Sequence, residues 1–301
     1  MRMSQPAGGK RTPSEARRGL LDVHLATVLF GLAGLFGKWI ALSPVLIVLG
    51  RVFFASLSLG FLLLFIRQSF RSVPGKHRLQ MIWLGAVLAV HWTAFFRSIQ
   101  VSSVAVGLLS YSIFPVFTVF LETVFFKEKL DRTSLYCAGL CLLGVFLIVP
   151  RFDISNSVFQ GVLWGLFSGL TFAVLAVFNR RLSQQHSSLA IAFVEDSSAA
   201  LFLLPFFLTL GTRPSVRDWL LLVTLGVACT AGAHTLFIKG MRHVRAQTAS
   251  IISSLEPVYG IVLAFVFLRE TPALRTFAGG ALILSAVTLV TLHEKVGERP
   301  S

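Results

Sequence analysis

Charge is what this chain has least of. Asp, Glu, Lys and Arg make up 13% of its 301 residues, about half of the roughly 25% usual in a soluble domain, which is too little to coat a water-soluble fold of this length. Cysteine is scarce as well. Cys137, Cys141 and Cys229 all lie inside apolar runs, so they read as small buried side chains with too few companions for a metal or redox centre. The chain has no HExxH or GxSxG sequence, no Gly-rich phosphate cradle and no metal-ligand spacing. These absences argue against hydrolytic chemistry, a metal, a cofactor and ATP as a direct energy source. The opening residues MRMSQPAGGKRTPSEARRG are polar, and the apolar run after them lacks a small-residue cleavage site of the signal-peptide kind. That run is expected to persist as a membrane span behind a disordered cytoplasmic tail, residues 1–20.

Apolar residues fill the space that charge leaves. They make up 55% of the chain at a mean hydropathy of +0.78, in ten runs: 21–42, 45–66, 79–96, 101–125, 135–149, 159–178, 189–210, 219–238, 246–268 and 274–292. Most approach the roughly 20 residues that carry a helix across a bilayer. The expected class is an all-α polytopic membrane protein of ten spans. The runs also repeat. Gly107–Glu128, GLLSYSIFPVFTVFLETVFFKE, and Ala249–Glu270, ASIISSLEPVYGIVLAFVFLRE, lie 142 residues apart, and Pro115 falls on Pro257, Lys127 on Arg269 and Glu128 on Glu270. The match continues from Leu84–Ala86 to Leu225–Val227 and from Ala138–Val149 to Gly279–Val290. The chain therefore reads as a duplication, with a first five-helix repeat over 21–150, a second over 151–293 and a cytoplasmic tail over 294–301.

Five spans per copy is an odd number, so the second copy lies inverted in the membrane. Inverted repeats are the architecture of secondary transporters. With the N-terminus in the cytoplasm, 19 of the 27 lysines and arginines fall on inside segments, which favours both termini inside a bacterial inner membrane. The same scatter of basic residues at span ends accounts for the net charge of +14 and argues against a nucleic-acid partner.

The five-plus-five layout, the Glu256-Pro257 to Arg269-Glu270 helix, its degenerate partner from Pro115 to Lys127-Glu128 and the Gly50-Arg51 start of the second span resemble the drug/metabolite transporter superfamily, in particular its EamA-type members. The resemblance covers Leu21 to His293. It implies a ten-helix basket whose central cavity is lined by spans 1, 3, 4, 6, 8 and 9, and a small-molecule substrate. Glu precedes the proline only in the second copy, where the first has Phe114.

Polar residues inside the spans are the site candidates, because an ionisable group at membrane depth needs a partner or a task. Aligning the repeats sets Arg51 opposite Glu195, so Arg51 with Glu195 reads as an ion pair, while Glu195 and Asp196 are alternatively proton-coupling groups. His91 and His234 sit on equivalent inverted spans and offer imidazoles either to a solute or to a neighbouring helix. Trp92, Tyr111, Trp164 and Tyr259 are candidates for cavity walls, and Glu256 for its polar lining. Pro115 and Pro257 are candidates for bends that frame or gate the cavity. The expected function is a secondary active transporter working by alternating access, an exporter of a small organic metabolite such as an amino acid. The expected coupling partner is a proton or a counter-solute, in a monomer or weak dimer surrounded by membrane lipids. A channel or facilitator, or an intramembrane enzyme, is the alternative.

Overall fold

The computed structural model describes residues 13–67, 73–126, 132–209, 213–244, 252–253 and 255–297; the tail 1–12 and the Lys127–Glu128 pair lie outside the described residues. Among the described residues every regular element is helical: α1 Pro13–Trp39, α2 Pro44–Phe65, α3 Gly75–Val101, α4 Val104–Tyr111, α5 Phe114–Phe126, α6 Arg132–Ile148, α7 Ser157–Gln185, α8 Ser188–Thr209, α9 Val216–Gly226, α10 Ala233–His243, α11 Glu256–Leu268 and α12 Leu274–Gly297. A π-helical segment, Val227–Gly232, joins α9 to α10. Helix begins at Pro13 and continues to Gly297, so residues 13–20 and 294–297, expected in the tails, are helical.

Seven helical stretches are long and apolar enough to cross a membrane: Arg17–Trp39, Pro44–Phe65, Gly75–Val101, Val104–Phe125, Ser157–Gln185, Ser188–Phe207 and Val216–His243. Leu135–Ile148, Glu256–Leu268 and Leu274–Leu289 are apolar but shorter. The short joints are cut by side chains that satisfy open helix ends. The hydroxyl oxygens of Ser43 and Ser103 accept from the amides of Leu46 and Val106, and Asn156 Oδ1 accepts from those of Val158 and Phe159. At the start of α9, Ser215 and Asp218 close a reciprocal capping box.

Pro115 and Pro257 each occupy the second position of a helix, α5 and α11 respectively. The sequence suggested bends within continuous spans. Instead, α4 stops at Tyr111, a turn follows, and α5 starts afresh at Phe114. Proline lacks an amide hydrogen, so the first turn of a helix is where it costs nothing.

Packing realises the duplication. α1 packs on α10 as α7 packs on α3, α2 on α8, and α6 on α12. Two glycines at equivalent places in the repeats make close approaches to the opposite half. A Cβ on Gly85 of α3 would stand 2.6 Å from the carbonyl oxygen of Glu195, and one on Gly226 of α9 would stand 2.7 Å from that of Arg51. Glu195 and Arg51 are the positions that the repeats align, so each glycine rests on the same point of the opposite half. Helices in lipid associate through such close contact of small residues. Cys137 and Cys141 are buried in a second core, where α6 meets Ile283, Ala286 and Val287 of α12.

At one end of the bundle the start of α3 meets the end of α7, where His77 Nδ1 lies 2.6 Å from His186 Nε2. Partial burial and the neighbouring His77 ring hold the His186 pKa below its ordinary value of 6.5. The contact therefore favours neutral His186 and is lost as pH falls.

Two outcomes follow from this packing. Gly85→Val and Gly226→Val are each expected to cost roughly 1–3 kcal/mol through overpacking, read as lower melting temperatures in detergent, whereas Gly75→Ala, with open space around it, leaves melting unchanged. On going from pH 7.5 to 5.5, the wild type is expected to lose more thermal stability than His186→Gln; equal losses would remove the histidine pair as the cause.

Candidate functional site

A cavity of about 40 Å³ lies between the two halves. α1 contributes Phe30 and Ala33, α2 Arg51, and α3 Leu88, His91, Trp92 and Phe95. Tyr111 of α4, Glu256 of α11 and two groups facing each other from the second repeat, Phe172 to Asn179 on α7 and His234 to Met241 on α10, complete the wall. This space accommodates a few waters, and a metabolite enters only if the halves part.

Arg51 is buried at 1% exposure. Its Nε donates to Thr230 Oγ1 at 2.9 Å, a terminal nitrogen lies 3.5 Å from the Cys229 carbonyl, and the guanidinium stands 3.8 Å over the Trp92 ring. Thr230 is held in turn by the π segment, where its hydroxyl donates to the Leu225 carbonyl five residues back at 2.8 Å. The wider π turn thus presents both a hydroxyl and a carbonyl to one guanidinium.

Glu195 is not the ion-pair partner of Arg51 that the aligned repeats suggested. Glu195 Oε2 accepts from Asn179 Nδ2 at 3.1 Å and lies 3.4 Å from His234 Nε2, while Asp196 Oδ1 lies 3.7 Å from His234 Nδ1. His234 of α10, the helix that follows the π turn, is the basic side chain that meets both acids. Consecutive helix residues diverge by about 100°, yet Glu195 and Asp196 both reach His234, one at each ring nitrogen. Neither acid lines the cavity; His234 and Asn179 stand between them and it.

His91 is tied to α7. Its Nδ1 donates to the Ser168 carbonyl at 2.9 Å, and Ser168 Oγ donates back to the His91 carbonyl at 3.2 Å. The Tyr111 and Phe172 rings stand 5.6 and 5.2 Å from its ring. Trp164, offered by sequence as a cavity wall, lies elsewhere. It is 40% exposed beside Phe167, roughly 80° round α7 from the line through Gly161, Phe172 and Asn179. Tyr259 is half-buried on α11 against α1, its Cβ beside Gly31, and does not line the cavity either. Sequence reading had not singled out Asn179, Phe172 or Phe237. A signal for the last two was their position on spans 6 and 8, but aromatics are common in every run of this chain.

One end of the bundle is tied together by hydrogen bonds between helix ends. Lys38 Nζ donates to the Ser102 carbonyl at 2.9 Å, Gln100 Nε2 donates to that of Leu42 at 2.8 Å, and the Glu270 carboxylate accepts from the Val104 amide at 3.1 and 3.3 Å. These bonds join the ends of α1 and α11 to the α3–α4 joint and the start of α4, and the end of α3 to the α1–α2 joint. Arg269 adopts a left-handed conformation, φ 55 and ψ 30, to end α11 and turn Glu270 toward α4. Such a conformation is uncommon outside glycine.

The model of the EamA-like transporter family matches residues 17–149 and again 159–292, once on each repeat. The chain belongs to the EamA-like transporter family. This is a family of transporters and not of enzymes, and the chain is a polytopic membrane protein that moves a small molecule across a membrane. Curated relatives span nearly its whole length. An uncharacterized transporter of Archaeoglobus fulgidus is 28% identical over 91% of this chain and 96% of its own. The uncharacterized transporter YxxF of Bacillus subtilis is 26% identical over 92% and 90%. The pseudopaline exporter CntI of Pseudomonas aeruginosa is 25% identical over 81% and 86%. A protein crystal structure matches with a TM-score of 0.66 at 20% identity, covering 96% of this chain and 100% of its own, which is a likeness of fold.

The charge cluster makes a double-mutant prediction. In a cycle on Glu195→Gln and His234→Gln, the loss in the double variant is expected to fall short of the sum of the singles by about 0.5–3 kcal/mol, because each single leaves a buried polar group unmatched. A cycle on Arg51→Gln and Glu195→Gln is expected to add within about 0.5 kcal/mol. Both are read from thermal unfolding in detergent.

Proposed function

We propose that this protein is a secondary active carrier that exports a small organic metabolite, such as an amino acid, by alternating access. The observation that supports this best is the placement of a small, charged and aromatic cavity at the meeting of two repeats. Arg51, His91, His234 and Glu256 line it beside Trp92 and Tyr111, at the depth where inverted-repeat carriers hold solute. Pro115 and Pro257 start half-helices beside it, and those breaks are the positions at which the two repeats flex. Export is favoured by the likeness to a pseudopaline exporter, and an inner-membrane location by the likeness to an inner membrane transporter of Salmonella typhimurium, 28% identical over 93% of this chain.

In this reading the three shorter apolar helices also span the membrane, giving ten spans, and both termini are cytoplasmic. The tied end at Lys38, Ser102, Val104 and Glu270 then faces outward, so solute enters from the cytoplasmic side. Solute binding frees the outer end by drawing α3 and α11 about the cavity, and these bonds break and re-form in each cycle.

Purified protein in lipid vesicles is expected to carry solutes from a metabolite panel with saturable, gradient-dependent flux. His234→Ala should lower that flux at least about tenfold, and Leu289→Ala on the exposed face of α12 should not. Flux without saturation would assign a channel instead. In a background lacking Cys137, Cys141 and Cys229, Gly75→Cys should resist an impermeant maleimide in intact cells until they are permeabilised; labelling from outside would reverse the orientation.

A further inference from the structure

Three carboxyl groups, Glu195, Asp196 and Glu256, are buried around this cavity, at 0, 0 and 3% exposure. Arg51 supplies one positive charge against them, and an imidazolium at His234 would supply a second. Glu195 and Asp196 face the two nitrogens of His234, which leaves one carboxyl over. Of the three, Glu256 alone lines the cavity, and among the described residues no side chain comes within ion-pair distance of it. It sits in the first turn of α11, where the helix dipole favours a negative charge.

We propose that Glu256 binds the positively charged nitrogen of the transported solute, and that a proton takes the place of that nitrogen on the return half of the cycle. The proposal rests on the carrier reading above and names the solute class: an organic amine with an apolar, preferably aromatic body. The cavity wall holds an unfilled acceptor, since Asn179 Oδ1 is buried there without a hydrogen-bond partner among the described residues. A ligand that donates N–H bonds fits such a wall, and a carboxylate without an ammonium does not. The Trp92, Phe95, Tyr111 and Phe172 rings surround the apolar body and favour a cation near their faces.

The groups facing Glu256 set the terms of the exchange. Arg51 of α2, Tyr111 of α4 and Asn179 of α7 share the cavity wall with it, as do His91 of α3 and His234 of α10, and α1 presents only Phe30 and Ala33. With solute bound, a carboxylate meets an ammonium. Without it, the carboxyl carries a proton. In both states the leftover charge is cancelled, and a bare carboxylate is the state that the apolar interior disfavours. The proton leaves to water as the amine arrives and returns as the amine departs on the other side, so solute and proton move in opposite directions.

Calorimetry on the detergent-purified protein, in buffers of different ionisation enthalpy, measures affinity and proton release together. The probes are 2-phenylethylamine, 2-phenylethanol and 3-phenylpropanoate, which share a ring and differ in charge. The amine is expected to bind at least tenfold tighter than the other two and to release about one proton, with affinity rising by up to about tenfold per pH unit. Glu256→Gln should lose at least tenfold in amine affinity and all of the proton release, while Glu256→Asp, which keeps the carboxyl if the amide variant folds poorly, should bind more weakly and still release the proton. Tighter binding of 3-phenylpropanoate, or proton release that survives in a folded Glu256→Gln, would overturn the assignment. In vesicles, saturable flux that Glu256→Gln leaves unchanged would overturn it while the carrier reading stands, and unsaturable flux would overturn the carrier reading beneath it.

Discussion

A guanidinium inside a bundle of lipid-spanning helices must be given partners, and much of the geometry here follows from how Arg51 obtains them. At 1% exposure it is cut off from bulk water, and leaving it unmatched would cost several kcal/mol. The partners come from a local departure from α-helix. At Val227–Gly232 the chain winds into a π turn, which exposes the Cys229 carbonyl and the Thr230 hydroxyl toward α2. The extra residue in that turn also sets the rotation of α10, and so the direction in which His234 points. The Trp92 ring covers the face of the guanidinium that the hydrogen bonds leave open.

The two halves of the molecule are related but not interchangeable. α3 runs unbroken from Gly75 to Val101, whereas the corresponding second-copy stretch, Val216–His243, contains the π turn. Arg51 and Glu195 occupy equivalent positions and both receive a glycine of the opposite half on their backbone, yet one is a cation served by a distorted helix and the other an anion served by Asn179 and His234. Symmetric backbone packing thus coexists with an asymmetric set of charges. In the carrier cycle proposed above, the backbone halves would exchange roles in opening to either side, while the charge set would stay a single unequal site. The asymmetry also separates tasks among the acids. Glu195 and Asp196 hold His234 from behind the cavity wall, and Glu256, at a half-helix start, stands in the wall itself.

Composition and periodicity were enough to establish a membrane protein built from a duplication, because lipid enforces long apolar runs and the second copy repeats the residue pattern of the first. The same reading brought His91, Trp92, Tyr111, His234 and Glu256 forward as polar or aromatic groups within spans, and all five line the cavity. What tertiary structure alone decided was which charges meet. Arg51 and Glu195 are aligned by the repeat, but pairing depends on side-chain direction: Arg51 meets a π turn that hydropathy does not register, and Glu195 meets Asn179 and His234. Trp164 fell on the exposed side of α7 for the same reason, since a run apolar on every face carries no mark of which face looks inward. Proline position was legible and its effect was not: whether Pro115 and Pro257 bend a helix or begin one depends on the turn before them, and that turn forms only where the neighbouring helices leave room for it.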